Sequence, residues 1–156
     1  PERMLPREIV LKDDLGKSLL SISTAPEGDL GSQSWAMDYQ DSNPAILVNP
    51  MVSELRDMLK SKNMTSYLVI PEAVSRIIDE MIRNHCENPI QAGTDGWQER
   101  WLTWSYRRID SRLPALVDSP DDMINCLEWK EELIQKLKQD IDQALNIRAE
   151  LDRGDE

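Results

Sequence analysis

The chain of 156 residues has no phenylalanine, one histidine, two cysteines and six glycines. Each shortage excludes something. Without phenylalanine, the large slots of a core fall to tryptophan, methionine and the branched aliphatics. A single histidine, His85, leaves one candidate base for a histidine-dependent triad. It closes an amphipathic segment, where an imidazole at the negative end of a helix is favourable, so it reads as structural. A zinc site draws several ligands from His and Cys. His85, Cys86 and Cys126 are the whole supply, and they form no C-x-x-C or ligand-pair spacing. With so few glycines there is no G-x-x-x-x-G-K-[ST] loop and no G-x-G-x-x-G turn to cradle a phosphate. No apolar run approaches the ~20 residues of a membrane span. "PERMLPRE" at the start lacks the apolar stretch of a signal peptide. Two thiols of this kind read as reduced, and the expected compartment is cytoplasmic.

Base is also scarce. Lys and Arg total 18 against 29 Asp and Glu, a net charge of −11. Binding to nucleic-acid phosphates needs clustered base, and anionic membranes need the same. Neither partner is expected. An acidic chain favours solubility and partners with basic surfaces. The imbalance is uneven. Residues 118–156 hold twelve acids and five bases, whereas residues 94–117 hold three acids and four bases. Carboxylate doublets at Asp13–Asp14 and Asp121–Asp122 read as a hairpin turn and an acidic first helical turn. No catalytic, cofactor-binding or metal-ligating residue is assigned.

What is present divides into a β-rich beginning and a helical remainder. "EIVLK" (8–12) and "SLLSIS" (18–23) flank "DDLG" and predict a hairpin. "TAPEGDLGSQS" (24–34) predicts a loop, and "WAMDY" (35–39) and "AILV" (45–48) predict short strands. Asn49 and Pro50 suit a cap and first position for a helix to about Asn63, with Met51, Leu55, Met58 and Leu59 on its buried face. "TSYLVI" (65–70) predicts a strand. Pro71 opens a second helix with Val74, Ile77, Ile78, Met81 and Ile82 on one side, stopped by "NHCENP" (84–89). Within this region "SYLVIPEAVSRIIDEMI" (66–82) resembles the strand-to-helix junction of ribbon-helix-helix repressors at Leu68, Ile70, Pro71, Glu72, Ile78 and Asp79. The resemblance implies a DNA-binding dimer. The outward strand positions Thr65, Tyr67 and Val69 carry no base, so the segment is read as a general strand–helix unit.

"GWQERWLTWSYRRIDSRL" (96–113) is the densest signal. Asp95 and Gln98 have the spacing of a capping box. Trp97, Trp101 and Trp104 form one helical stripe; Leu102, Tyr106, Ile109 and Leu113 form a second. Arg100, Arg107, Arg108 and Arg112 occupy much of the rest. A helix so apolar is central to a domain, yet Trp and Arg are also the residues most enriched at binding hot spots. Trp97, Trp101, Trp104, Arg107 and Arg108 are therefore candidate partner-binding residues, with pairing of the arginines to the acidic last helix as the internal alternative.

"DSPDDM" starts that last helix, with Ser119 at the cap, Pro120 at the first position and Asp121 and Asp122 at the positive end of the dipole. Nothing breaks it before Gly154. Leu127, Ile134 and Ile141 recur every seven residues, with Met123, Leu137, Ala144 and Leu151 at alternate positions. The expected helix-partner or oligomerisation seam is Leu127, Ile134, Leu137, Ile141 and Leu151, interrupted by Lys130 and Arg148, with Trp129 off the seam. Glu132 and Lys136 have pairing distance.

The expected fold is α+β and mainly helical. A small antiparallel β region (1–48) packs on a helical core (49–118). A long C-terminal helix (119–156) of coiled-coil character is packed or projecting. The expected function is a non-catalytic acidic adaptor or assembly subunit, bound to another protein or a second copy. The alternative is an acidic inhibitor, immunity-type or secretion-chaperone-like protein that masks a basic surface. A carboxylate- or metal-dependent enzyme stands further off.

Overall fold

The apolar run bounded by Pro44 and Pro50 becomes the middle of a three-stranded sheet. The computed structural model describes residues 11–12, 17–39, 43–52, 55, 69–90, 96–114 and 120–154, with side chains of the last helix through Ala144 and at Asn146. The strands are β1 (Ser21–Thr24), β2 (Trp35–Asp38) and β3 (Ala45–Val48), in the order β1-β3-β2. β3 runs antiparallel to β2, pairing Trp35 with Val48 and Asp38 with Ala45. It runs parallel to β1, pairing Ser21 with Ala45 and Thr24 with Val48.

The sheet is therefore mixed, which corrects the expected antiparallel arrangement. The reason is burial. β3 alternates buried Ile46 and Val48 with half-buried Ala45 and Leu47, so both its faces are covered and it takes the centre. All four residues of β1 are exposed, which suits an edge. With β3 antiparallel to β2 and parallel to β1, the two outer strands run in opposite directions. Of the predicted hairpin, an isolated antiparallel bridge joins Lys12 and Ser18, and Leu19 N donates to Leu11 O at 2.8 Å. Residues 8–10 and 13–16 lie outside the described residues.

Asn49 secures the 24–34 loop. Its Nδ2 donates to Gly31 O at 3.1 Å and Gln33 O at 2.7 Å, and its Oδ1 accepts from Met51 N at 2.9 Å. The cap reading of Asn49 survives in that last bond. The helix expected to about Asn63 lies mostly outside the described residues, where Leu55 is helical and buried. The strand expected over 65–70 is likewise mostly outside them, and Ile70 is already helical.

Three helices follow: α1 (Ile70–Glu87), α2 (Trp97–Ile109) and α3 (Pro120–Gly154). α1 buries Val74, Ile77, Ile78, Met81 and Ile82, the stripe read from its spacing. It runs through Asn84 and His85 before ending at Asn88. α2 starts at Gly96 with no side-chain cap hydrogen bond. Asp95 lies outside the described residues, and Gln98 Oε1 instead accepts from Asn84 Nδ2 at 3.0 Å. α2 ends on Asp110, a non-glycine residue in the left-handed region with φ 50°. α3 begins at Pro120 as expected and runs 35 residues, about 50 Å at 1.5 Å per residue.

The main core joins α1, α2 and α3 with Leu11 and Leu19 from the N-terminal segment. A smaller core holds Ile46, Val48, Leu55, Val69 and Ala73 under the sheet, and Leu20 and Met37 pack against both.

Candidate functional site

With no phenylalanine available, tryptophan fills the centre of this fold. Trp101 is fully buried, and its indole Nε1 donates to Leu19 O at 3.1 Å, 82 positions earlier. That bond ties α2 to the strand region. Trp104 is also buried and meets Trp101 edge-to-face, with ring centroids 5.2 Å apart. Its indole nitrogen is buried without a hydrogen-bond partner among the described residues. Trp97 is half-buried and stacks on Tyr39 at 5.8 Å.

The arginines of α2 divide. Arg108 lies over the Trp104 ring, 4.4 Å from its centroid, and pairs with Asp140 of α3. The internal pairing of an α2 arginine with the acidic helix is thus present. Arg107 is exposed. Arg112 covers the ring of half-exposed Tyr106 at 5.4 Å. Trp101, Trp104 and Arg108 accordingly form one internal cluster with Asp140. Arg107 and Tyr106 form the outward end of the same helix, and Arg112, just beyond it, covers Tyr106.

The inward face of α3 overlaps its heptad seam only in part. The buried residues are Cys126, Trp129, Leu133, Leu137 and Ile141, four of them at steps of four. Trp129, read as off the seam, is buried, and its Nε1 donates to Ser111 O at 2.9 Å. Leu137 and Ile141 are on the seam and face the molecule's own core, with Ile134 packed against its margin. Leu127 is 48% exposed. Leu151 lies on α3, with its side chain outside the described residues. The i, i+4 run of Trp129, Leu133, Leu137 and Ile141 carries the packing; Trp129 and Leu133 are anchors the sequence also offers for a packed first half, whereas Leu127, the third, stays half exposed.

The outward face of the first half of α3 holds residues that were not singled out from the sequence. Ile124 is 51% exposed. Together with Leu127 it sits one turn before Glu128 and Glu131, at helical steps of four. Glu128, Glu131 and Glu132 are exposed and make no ion pair among the described residues. Lys130 reaches across to Asp79 of α1 at 2.6 Å, and Lys136 pairs with Asp140 at 3.3 Å rather than with Glu132. These three carboxylates stand beside two half-exposed apolar side chains.

Several polar groups elsewhere are committed within the fold. A shallow recess of about 310 Å³ is lined by Tyr39, Arg76, Asp79, Glu80 and Arg83. Arg76 pairs with Glu72 at 3.2 Å and lies over Trp35 at 4.2 Å; Arg83 pairs with Glu80. Tyr39 Oη donates to Arg76 O at 3.1 Å. Burial, and then the Glu80 carboxylate, push its phenol up to about 12. His85 is buried. Its Nδ1 accepts from Ile90 N at 3.1 Å, so its Nε2 carries the proton and donates to Pro114 O at 3.2 Å. It pins two connecting segments to the end of α1. Cys86 is exposed and Cys126 buried, and both are free thiols. Burial raises the Cys126 thiol, with Cys86 and Asp122 adding to the shift.

Among the described residues no three His, Cys, Asp or Glu side chains are grouped to hold a metal ion, and no helix is long and apolar enough to cross a membrane. No protein-family model, no curated protein and no solved structure gives a significant match to the chain.

Proposed function

We propose that this chain is a non-catalytic acidic adaptor or assembly subunit that works through protein contacts. The observation that carries the reading is the pair Ile124 and Leu127, about half exposed on a helix that buries Trp129, Leu133, Leu137 and Ile141 inside the molecule. Exposed apolar side chains scattered singly need no explanation. These two are three residues apart, on adjacent turns of one rigid helix. Tyr106 and Arg107, at the outward end of α2, supply residue types favoured at interface centres. In this reading Trp101 and Trp104 act indirectly, by holding α2 rigid beneath that surface. The acidic-inhibitor alternative draws on the exposed carboxylates of α3 and differs in its salt dependence. There, charge alone carries the affinity.

The test uses surface variants rather than removal of α3, since Trp129, Leu133, Leu137 and Ile141 belong to the core. Immobilised wild-type chain and Ile124→Ser/Leu127→Ser chain are compared for capture of a discrete, stoichiometric protein, with circular dichroism to check that both fold. Solution mass is measured in parallel. A partner, or a second copy, held by the wild type and lost by the variant supports the reading. No stoichiometric partner and no self-association, at any salt concentration, would overturn it.

A further inference from the structure

Resting on the adaptor reading, the nature of the partner can be taken one step further. We infer that the outward strip of α3 formed by Ile124, Leu127, Glu128 and Glu131 docks a basic amphipathic segment of another protein. Apolar side chains of that segment pack on Ile124 and Leu127, and its Lys and Arg residues meet the adjacent carboxylates.

The charge of the strip selects the occupant. From Pro120 to Glu132 the helix carries Asp121, Asp122, Glu128, Glu131 and Glu132 against one base, Lys130. Lys130 is turned away and tied to Asp79. Glu128, Glu131 and Glu132 are left with no ion pair among the described residues. A second copy laid on this strip brings three more such carboxylates onto the first three, within a chain already at −11. Like charges brought together in this way oppose association. An acidic or neutral segment leaves the carboxylates uncompensated as they lose water. A segment that alternates apolar anchors with Lys or Arg removes both costs. It fits the helix-against-helix mode, in which anchors recur at steps of three and four.

The docking strip also explains the arrangement of α3. The acids of its first half point outward beside apolar side chains. Its described ion pairs, through Lys130, Asp140 and Lys136, instead face α1 and α2 or run along the helix.

A synthetic amphipathic helical peptide of leucine and lysine serves as the probe, with a leucine–glutamate peptide as its control. Binding to the intact chain is followed by fluorescence anisotropy at low and high salt. Three variants are compared with the wild type: Ile124→Ser/Leu127→Ser, Glu128→Lys/Glu131→Lys, and Glu27→Lys/Asp29→Lys. The last changes the charge equally, but at two exposed positions of the loop after β1. The inference predicts that the leucine–lysine peptide binds and the leucine–glutamate peptide does not. Each α3 variant weakens binding at least about tenfold, the loop variant less than about threefold, and high salt weakens it by about tenfold. Equal loss in the loop and α3 variants shows attraction to net charge alone and overturns the inference. So does absence of binding, or a wild-type dimer lost in the Ile124/Leu127 variant. If a captured partner depends on Ile124 and Leu127 but is not displaced by the leucine–lysine peptide, the basic-segment inference fails while the adaptor reading stands.

Discussion

Trp101→Phe and Trp104→Phe remove the same atoms from the same helix, and the structure predicts unequal costs. Both indoles are buried, at 0% and 7% exposure, and the two rings touch. Replacing an indole by a phenyl ring leaves a similar void at each site, costing on the order of 1–2 kcal/mol by comparison with other large-to-small core changes. The hydrogen bonds differ. Trp101 Nε1 donates to Leu19 O, so Phe at 101 leaves that carbonyl buried without its donor, a further cost of about 1–3 kcal/mol. Trp104 Nε1 has no partner among the described residues, so Phe at 104 removes an unsatisfied donor and regains about 1 kcal/mol or more. The expected losses are roughly 2–5 kcal/mol at 101 and roughly 0–1 kcal/mol at 104. Urea unfolding followed by far-ultraviolet circular dichroism measures both, with an unchanged slope required for the comparison. Since a domain of this kind has about 5–15 kcal/mol of total stability, the difference is well resolved. Equal costs, or a larger cost at 104, would refute the assignment of Trp101 as the polar tie between α2 and the N-terminal segment.

Three further outcomes are expected. Tyr39 should titrate well after an ordinary phenol, and Tyr39→Phe should abolish that late step in an absorbance titration. Because its folded pKa is raised, the native state holds its proton longer than the unfolded chain, so stability falls as pH rises from about 10 to about 12. Asp110 holds φ 50° at the end of α2, so Asp110→Gly should stabilise the fold by about 0.5–1 kcal/mol and Asp110→Val should destabilise it, as read by thermal melting. Arg108→Ala and Asp140→Ala should each destabilise, and their double-mutant cycle should give a coupling of about 0.5–1.5 kcal/mol, less than the loss from Arg108→Ala because Arg108 also covers Trp104.

Much of the local structure was legible from residue order. The 35–38 and 45–48 strands, the buried stripe of α1, and the start of α3 at Pro120 all sit where spacing and capping chemistry place them. These signals act within one or two turns of chain, where apolar period and backbone chemistry suffice. The outward strip was not legible in the same way. Leu127 was visible as a heptad position, but Ile124, Glu128 and Glu131 looked like ordinary members of an acidic helix. Two overlapping apolar stripes cover α3, one through Leu127 and Ile134 and one through Trp129 and Leu133. Periodicity weights both, and only the surfaces of α1 and α2 choose between them.

What the sequence by itself determined is the class of the fold, the order of its elements, the acidic surface, and the need for tryptophan to occupy the core. What only the tertiary structure decided is how distant parts meet. β3, the strand with fully buried residues, lies between β1 and β2. Trp101 finds its acceptor 82 residues away, and Arg108 finds Asp140 across a helix boundary. Local preferences extend only a few residues along a chain, whereas these contacts depend on which buried surfaces and polar atoms remain to be matched once the elements pack.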